Sequence, residues 1–139
     1  MIRLGQLPVI LMVGEKEWKI RTDYRDILEI MQAFNDPELM VEEAYVVMCK
    51  ILYEDWLDMP RELYEEAVKK ALWLLDCGQK DEDEIMPVKV MDWEQDEPIL
   101  FPAINQVAGC EVRSIPYIHW WTFVGYFMEI REGIFSTVL

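Results

Sequence analysis

The chain has one histidine, and that scarcity limits its chemistry first. Any Ser-His-Asp or Cys-His relay would have to run through His119. That residue stands between Ile118 and Trp120, on a stretch where an imidazole is packed or hydrogen-bonded rather than catalytic. The three cysteines, Cys49, Cys77 and Cys110, are odd in number and widely spaced. They fit reduced thiols and support neither a disulfide framework nor a zinc site. The six glycines stand singly, which leaves no Gly-rich loop for phosphate. No apolar run approaches the roughly 18–20 residues that span a bilayer. The opening stretch from Met1 to Val13 has one basic residue, Pro8 ahead of its apolar core and no small-residue cleavage site, so it does not read as a signal peptide. The protein is expected to stay in the cytoplasm.

Positive charge is scarce as well. Thirteen Lys and Arg face 27 Asp and Glu, for a formal net charge of −14. Such a chain lacks the basic face that nucleic acid requires and is repelled by anionic lipid, so neither is expected as a partner. Among the acids, Asp81, Asp83, Asp92, Asp96 and Glu97 lack the glycine turn of a calcium loop. No paired carboxylates in an apolar setting stand out for glycosidase chemistry. No cofactor, no metal and no enzymatic activity are expected.

What the sequence has is apolar mass. Fifty-three per cent of its 139 residues are hydrophobic and 12% aromatic, enough for one domain with a substantial core over 1–139. The expected fold is mainly α, a bundle of about five helices with a short N-terminal β-hairpin. Residues 9–21 read as two strands around Val13-Gly14-Glu15-Lys16, with Glu17 to Arg21 alternating as a half-buried strand does. Thr22 or Asp23 caps a first helix carrying Ile27, Ile30, Met31 and Phe34 on one face. Asp36 and Pro37 then start a second helix to about Glu54, with Met40, Ala44, Val47, Met48, Ile51 and Leu52 as its stripe. Asp58 and Pro60 start a third, carrying Leu63, Ala67, Ala71, Leu74 and Leu75 and closing at Gly78.

Residues 79–91, with the block Asp81-Glu82-Asp83-Glu84, read as a solvated acidic loop. Asp92 and Gln95 form a capping-box signal for a fourth helix, whose face is Trp93, Leu100, Ile104, Val107 and Ala108. Pro98 and Pro102 inside it imply a kink or two short helices. A last long helix is expected from Pro116.

That last segment is the richest in rings: seven of the eleven residues from Tyr117 to Phe127 are aromatic or imidazole. At helical spacing Tyr117, Trp120, Trp121 and Val124 share one face, and Phe123, Phe127 and Ile130 another. A helix apolar around so much of its girth is the centre of a bundle, or leaves one stripe for a partner. Nine methionines, adaptable at interfaces, favour an added binding role.

Three segments together resemble a known phage family. They are Trp18-Lys19-Ile20-Arg21-Thr22-Asp23-Tyr24-Arg25, Ala71-Leu72-Trp73-Leu74-Leu75-Asp76-Cys77-Gly78, and Asp92-Trp93-Glu94-Gln95-Asp96 leading to His119-Trp120-Trp121-Thr122-Phe123. The family is the bacteriophage group catalogued as gene product fifteen, from tailed phages and prophages of Gram-positive bacteria. The resemblance implies a tail-assembly chaperone that coats the tape-measure protein in the cytoplasm of the bacterial host until tail-tube subunits replace it. Tyr117, Trp120, Trp121 and Phe123 are the candidate partner-binding residues, through helix-in-groove contact. Self-association is also expected, because an exposed apolar strand or groove invites it.

Pro98 and Pro102 depart from the family's pattern, and so does the lack of a basic, Lys-rich tail after 139, which points to a missing C-terminal tail. The alternative reading is a structural tail-completion or head–tail joining component retained in the virion. A small acidic inhibitor mimicking nucleic acid fits the charge but leaves the aromatic content unexplained.

Overall fold

The computed structural model describes residues 6–78 and 93–138; within that span the side chains of 93–97, 99 and 131–138 are not described. The acidic loop and the Asp92–Gln95 capping signal fall outside the described residues. The expected fold is the observed one: among the described residues, a two-stranded antiparallel hairpin is followed by five α-helices. Strands β1 (Ile10–Val13) and β2 (Lys16–Lys19) pair with Leu11 opposite Trp18 and Val13 opposite Lys16. Gly14 and Glu15 both have positive φ, at 60° and 66°, which is the type I′ turn whose twist suits a two-residue hairpin. Leu11, Val13 and Trp18 point inward, and the Trp18 indole donates to Val13 O.

Helix α1 (Tyr24–Asn35) buries Tyr24, Ile27, Ile30 and Met31, nearly the stripe the periodicity predicts. Helix α2 (Val41–Leu52) starts later than expected. Asp36-Pro37-Glu38-Leu39 makes a turn instead: Leu39 N donates to Asp36 O, and Glu38 N to the Asp36 side chain. An Asp-Pro pair suits the first corner of a type I turn as well as it suits a helix start, and here the turn wins. Glu43 reaches back to Met40 N to finish the true N-terminus. As a result Met40 is exposed, and Cys49 takes a core position that the predicted stripe omitted.

Helix α3 (Tyr64–Leu75) is preceded by two single 3-10 turns, Trp56–Asp58 and Arg61–Leu63, so it too begins after its proline. Helix α4 (Trp93–Ala108) is one unbroken run through Pro98 and Pro102, not two short helices. The two prolines are four residues apart and both exposed, so their rings share the solvent side of the helix. Leu100, Phe101 and Ile104 on the opposite side are buried.

Helix α5 (Trp120–Val138) starts four residues later than predicted. Pro116 disfavours helix at the residue before it, and the backbone of residues 118–120 is already engaged elsewhere. Tyr24 N donates to Ile118 O and Trp120 N to Thr22 O, so this stretch lies extended along the start of α1. Tyr117 is therefore off the helix, and the face it was expected to share with Trp120, Trp121 and Val124 does not exist. One core, built from both strands and all five helices, holds the domain together. None of the described helices is long and apolar enough to cross a membrane.

Candidate functional site

The N-terminal ends of α1 and α5 and the C-terminal end of α3 meet at one junction. Helix α3 closes with Cys77 and Gly78 at positive φ (57° and 80°), and Gly78 N donates back to Trp73 O. The two adjacent tryptophans bond the last carbonyls of the helix: Trp120 Nε1 donates to Leu75 O at 3.0 Å, and Trp121 Nε1 donates at 2.8 Å to Leu74 O, which also accepts from Cys77 N. The ring of Trp121 also stands edge-on to Trp73, with centroids 5.6 Å apart, directly above Gly78. A Cβ on Gly78 would come within 3.1 Å of that ring, so the glycine serves both the backbone turn and the close approach.

His119 caps α5. Its Nδ1 accepts from Trp121 N at 3.0 Å, which leaves Nε2 as the protonated nitrogen, bonded to Pro8 O at 2.7 Å. The tautomer follows from the geometry: one nitrogen must accept and the other donate. Burial pushes the imidazole's pKa below its usual value, opposed by the bond to Pro8. A neutral ring with both nitrogens engaged is a structural cap that also tethers the chain ahead of β1. It has no nitrogen free to take a proton from a substrate. The sequence reading of a hydrogen-bonded imidazole holds, although the residue sits at the helix start rather than within a helix face.

The opposite wall is Arg21 to Arg25, and each of these residues has a task. Arg21 closes the end of α2 through its backbone N–H to Leu52 O and its guanidinium to Ile51 O. Thr22 is buried, and its hydroxyl is hydrogen-bonded to Tyr117 Oη. Asp23 caps α1 through Arg25 N and also accepts from Ile118 N at 2.9 Å. Tyr24 lies flat on Phe123, centroids 4.4 Å apart and planes within 1°, with Phe101 tilted against both. Burial raises its phenol pKa. Arg25 donates to the carbonyls of Arg113 and Ile115, and more distantly to Pro116, gathering the end of the 3-10 turn Val112–Ser114.

The four candidate contact residues thus divide. Trp120 and Phe123 have no exposed surface at all. Trp121 is half-buried, and Tyr117 keeps 51% of its surface exposed beside Pro116. The sequence reading treated Thr22, Asp23 and Arg25 as a helix start and missed their long-range bonds to residues 113–118. Nothing local to either segment announces a pairing across some 90 positions. Among the described residues, no group of three or more His, Cys, Asp or Glu side chains is placed to hold a metal.

Residues 21–25, 74–78 and 119–123, which meet here, belong to the segments on which the phage resemblance rested, and a family model described as Bacteriophage Gp15 protein matches residues 5–139. The chain belongs to that family. No curated protein and no solved structure matches the chain. In this Gp15 protein, the segment ending in Cys77-Gly78 and the His119-Trp120-Trp121-Thr122-Phe123 segment are two sides of one hydrogen-bonded joint, clasped by Arg21 to Arg25. Their chemistry is that of holding helix ends together, by indole N–H groups, a carboxylate, a guanidinium and an imidazole.

Proposed function

We propose that this Gp15-family protein is a non-enzymatic chaperone of phage tail assembly that binds the tape-measure protein in the host cytoplasm before the tail tube forms around it. The observation that carries this reading is membership of a phage family across nearly the whole chain, together with the role that family's resemblance implies. The site geometry is in keeping with it. The one histidine is committed to a helix cap, and the other polar side chains named at the junction are bonded to backbone groups or to one another.

The contact surface we favour is the exposed part of the candidate set, Tyr117 and the open edge of Trp121, with buried Trp120 and Phe123 as the support beneath. Aromatic anchors backed by a rigid core lose little entropy on binding, which is why such residues dominate interfaces. Tyr117 projects from an extended stretch held on both sides, by Asp23 at Ile118 and by Arg25 at Ile115.

Co-expression with the tape-measure protein of the same phage or prophage, followed by pull-down and sizing, tests this. A soluble complex is expected, lost on Tyr117→Ala while the free variant keeps its circular dichroism and melts cooperatively, lowered only by what the lost partner of the Thr22 hydroxyl explains. A tape measure that stays insoluble and unbound defeats the proposal. Abundant copies of this protein in purified virions, measured by mass spectrometry, would favour the structural tail-completion or head–tail joining role instead.

A further inference from the structure

Among the described residues, strand β1 has no strand neighbour on the side away from β2. The two-residue turn makes Val13 and Lys16 a hydrogen-bonded pair, and Leu11 with Trp18 is the next such pair along the ladder. The bond from Ile20 N to Val9 O keeps the same alternation. Ile10 and Met12 therefore occupy the non-hydrogen-bonded positions, with their N–H and C=O groups aimed away from β2. Among the described residues, no backbone hydrogen bond meets them on that side. The far edge of β2 is different, because Glu54 N donates to Lys19 O and Ile20 bridges to Tyr53.

The open side is also apolar. Leu7, Val9, Ile10 and Met12 are each between 36% and 54% exposed, and no residue from 6 to 13 carries a charge. Soluble proteins usually guard such an edge with a lysine, a bulge or a proline within the strand. Here Pro8 lies ahead of β1, and the strand itself has none of these.

Charge selects the occupant. Residues 10–19 contain Lys16 and Lys19 against Glu15 and Glu17, two of each sign, so the whole formal charge of −14 lies elsewhere on the chain. A basic segment gains nothing by choosing this strand over the rest of the surface. A second copy of so acidic a chain meets the least repulsion here. The edge also complements itself, since antiparallel pairing about a two-fold axis sets the outward N–H and C=O groups of each strand against those of the other.

We propose that β1 pairs antiparallel with β1 of a second copy of this chain, through the outward backbone groups of Ile10 and Met12, to form a four-stranded sheet across a two-fold axis. The contact is small, below about 1,200 Å² in total, so the dimer is reversible and concentration-dependent. It stands independently of the tape-measure reading.

Sedimentation of the full chain across a wide concentration range tests it. The expected mass rises from 16.6 kDa toward twice that value. Met12→Lys, a change at an exposed side chain, should weaken association about tenfold or more. Val46→Lys, at an exposed position on α2 away from the strand, should leave it unchanged. In the unmodified protein the Ile10 and Met12 amides should exchange more slowly as the dimer fills. A monomer at every concentration overturns the proposal, as does a dimer indifferent to Met12→Lys or equally weakened by Val46→Lys. Protection of those two amides only on addition of a tape-measure segment would assign the edge to a client strand instead.

Discussion

Replacing Asp23 with alanine cuts the clasp at its centre. The carboxylate accepts from Arg25 N at 3.2 Å, from Ile118 N at 2.9 Å and from the Arg25 guanidinium at 3.0 Å. The first bond is a helix N-cap, worth about 1 kcal/mol. The second leaves a partly buried amide without its acceptor, a loss of about 1–3 kcal/mol. The third is a partly exposed ion pair worth about 0–1 kcal/mol, and Arg25 keeps its carbonyl partners, so it adds little. The sum is about 2–4 kcal/mol, or roughly 5–15 °C in Tm for a domain of this size.

Asp23→Asn keeps one acceptor oxygen, but Arg25 N and Ile118 N are bonded by different carboxylate oxygens. The new NH2 group therefore faces one of these donors, and the variant should still lose about 1–3 kcal/mol. Urea unfolding followed by tryptophan fluorescence and circular dichroism gives both differences, with an unchanged slope as the sign that the folded and unfolded states are comparable. Hydrogen exchange at Ile118 should quicken more in the alanine variant than the change in global stability explains. An Asp23→Ala protein within about 0.5 kcal/mol of the parent refutes the reasoning.

Gly78→Ala and Gly109→Ala make a matched pair, because both glycines sit near φ +80° but only Gly78 has neighbours that a Cβ would meet. Gly109→Ala should lose about 1 kcal/mol from backbone strain, and Gly78→Ala clearly more, with a changed tryptophan spectrum; equal losses in urea titrations would show that Trp121 does not need the close approach. His119 predicts a pH dependence. Its folded pKa is depressed, so its contribution is complete above the unfolded value of about 6.5 and is lost as pH falls through that value toward the folded one. His119→Ala should therefore be less stable than the parent at pH 7.5 by a margin that narrows toward pH 5. A margin that stays constant or widens contradicts a neutral, capping imidazole.

Much of the fold was legible in the sequence. Hydrophobic spacing identified all five helices and most of their buried residues, because a stripe at a period of 3.6 has one good use in a small domain. Alternation about a Gly-Glu turn identified the hairpin. Helix starts were less legible where proline was the signal, because Asp36-Pro37 and Pro60 suit turns as well as helix ends. The unbroken α4 was hidden for a similar reason. The effect of Pro98 and Pro102 depends on whether their rings face water, which only the packing of Leu100, Phe101 and Ile104 decides.

What the sequence by itself determined is therefore the class of the protein, its secondary elements, the poverty of catalytic groups and the family to which it belongs. What only the tertiary structure decided is how the segments that carry the family resemblance are used. The Trp120-Trp121 pair reads in sequence as two exposed-or-core hydrophobes; in the fold their indole N–H groups answer the last carbonyls of a helix some 45 positions earlier. Thr22, Asp23 and Arg25 read as a helix start and become the clasp on residues 113–118. A hydrogen bond between distant segments leaves no periodicity in either, since each donor and acceptor satisfies a group whose position exists only after the chain has folded.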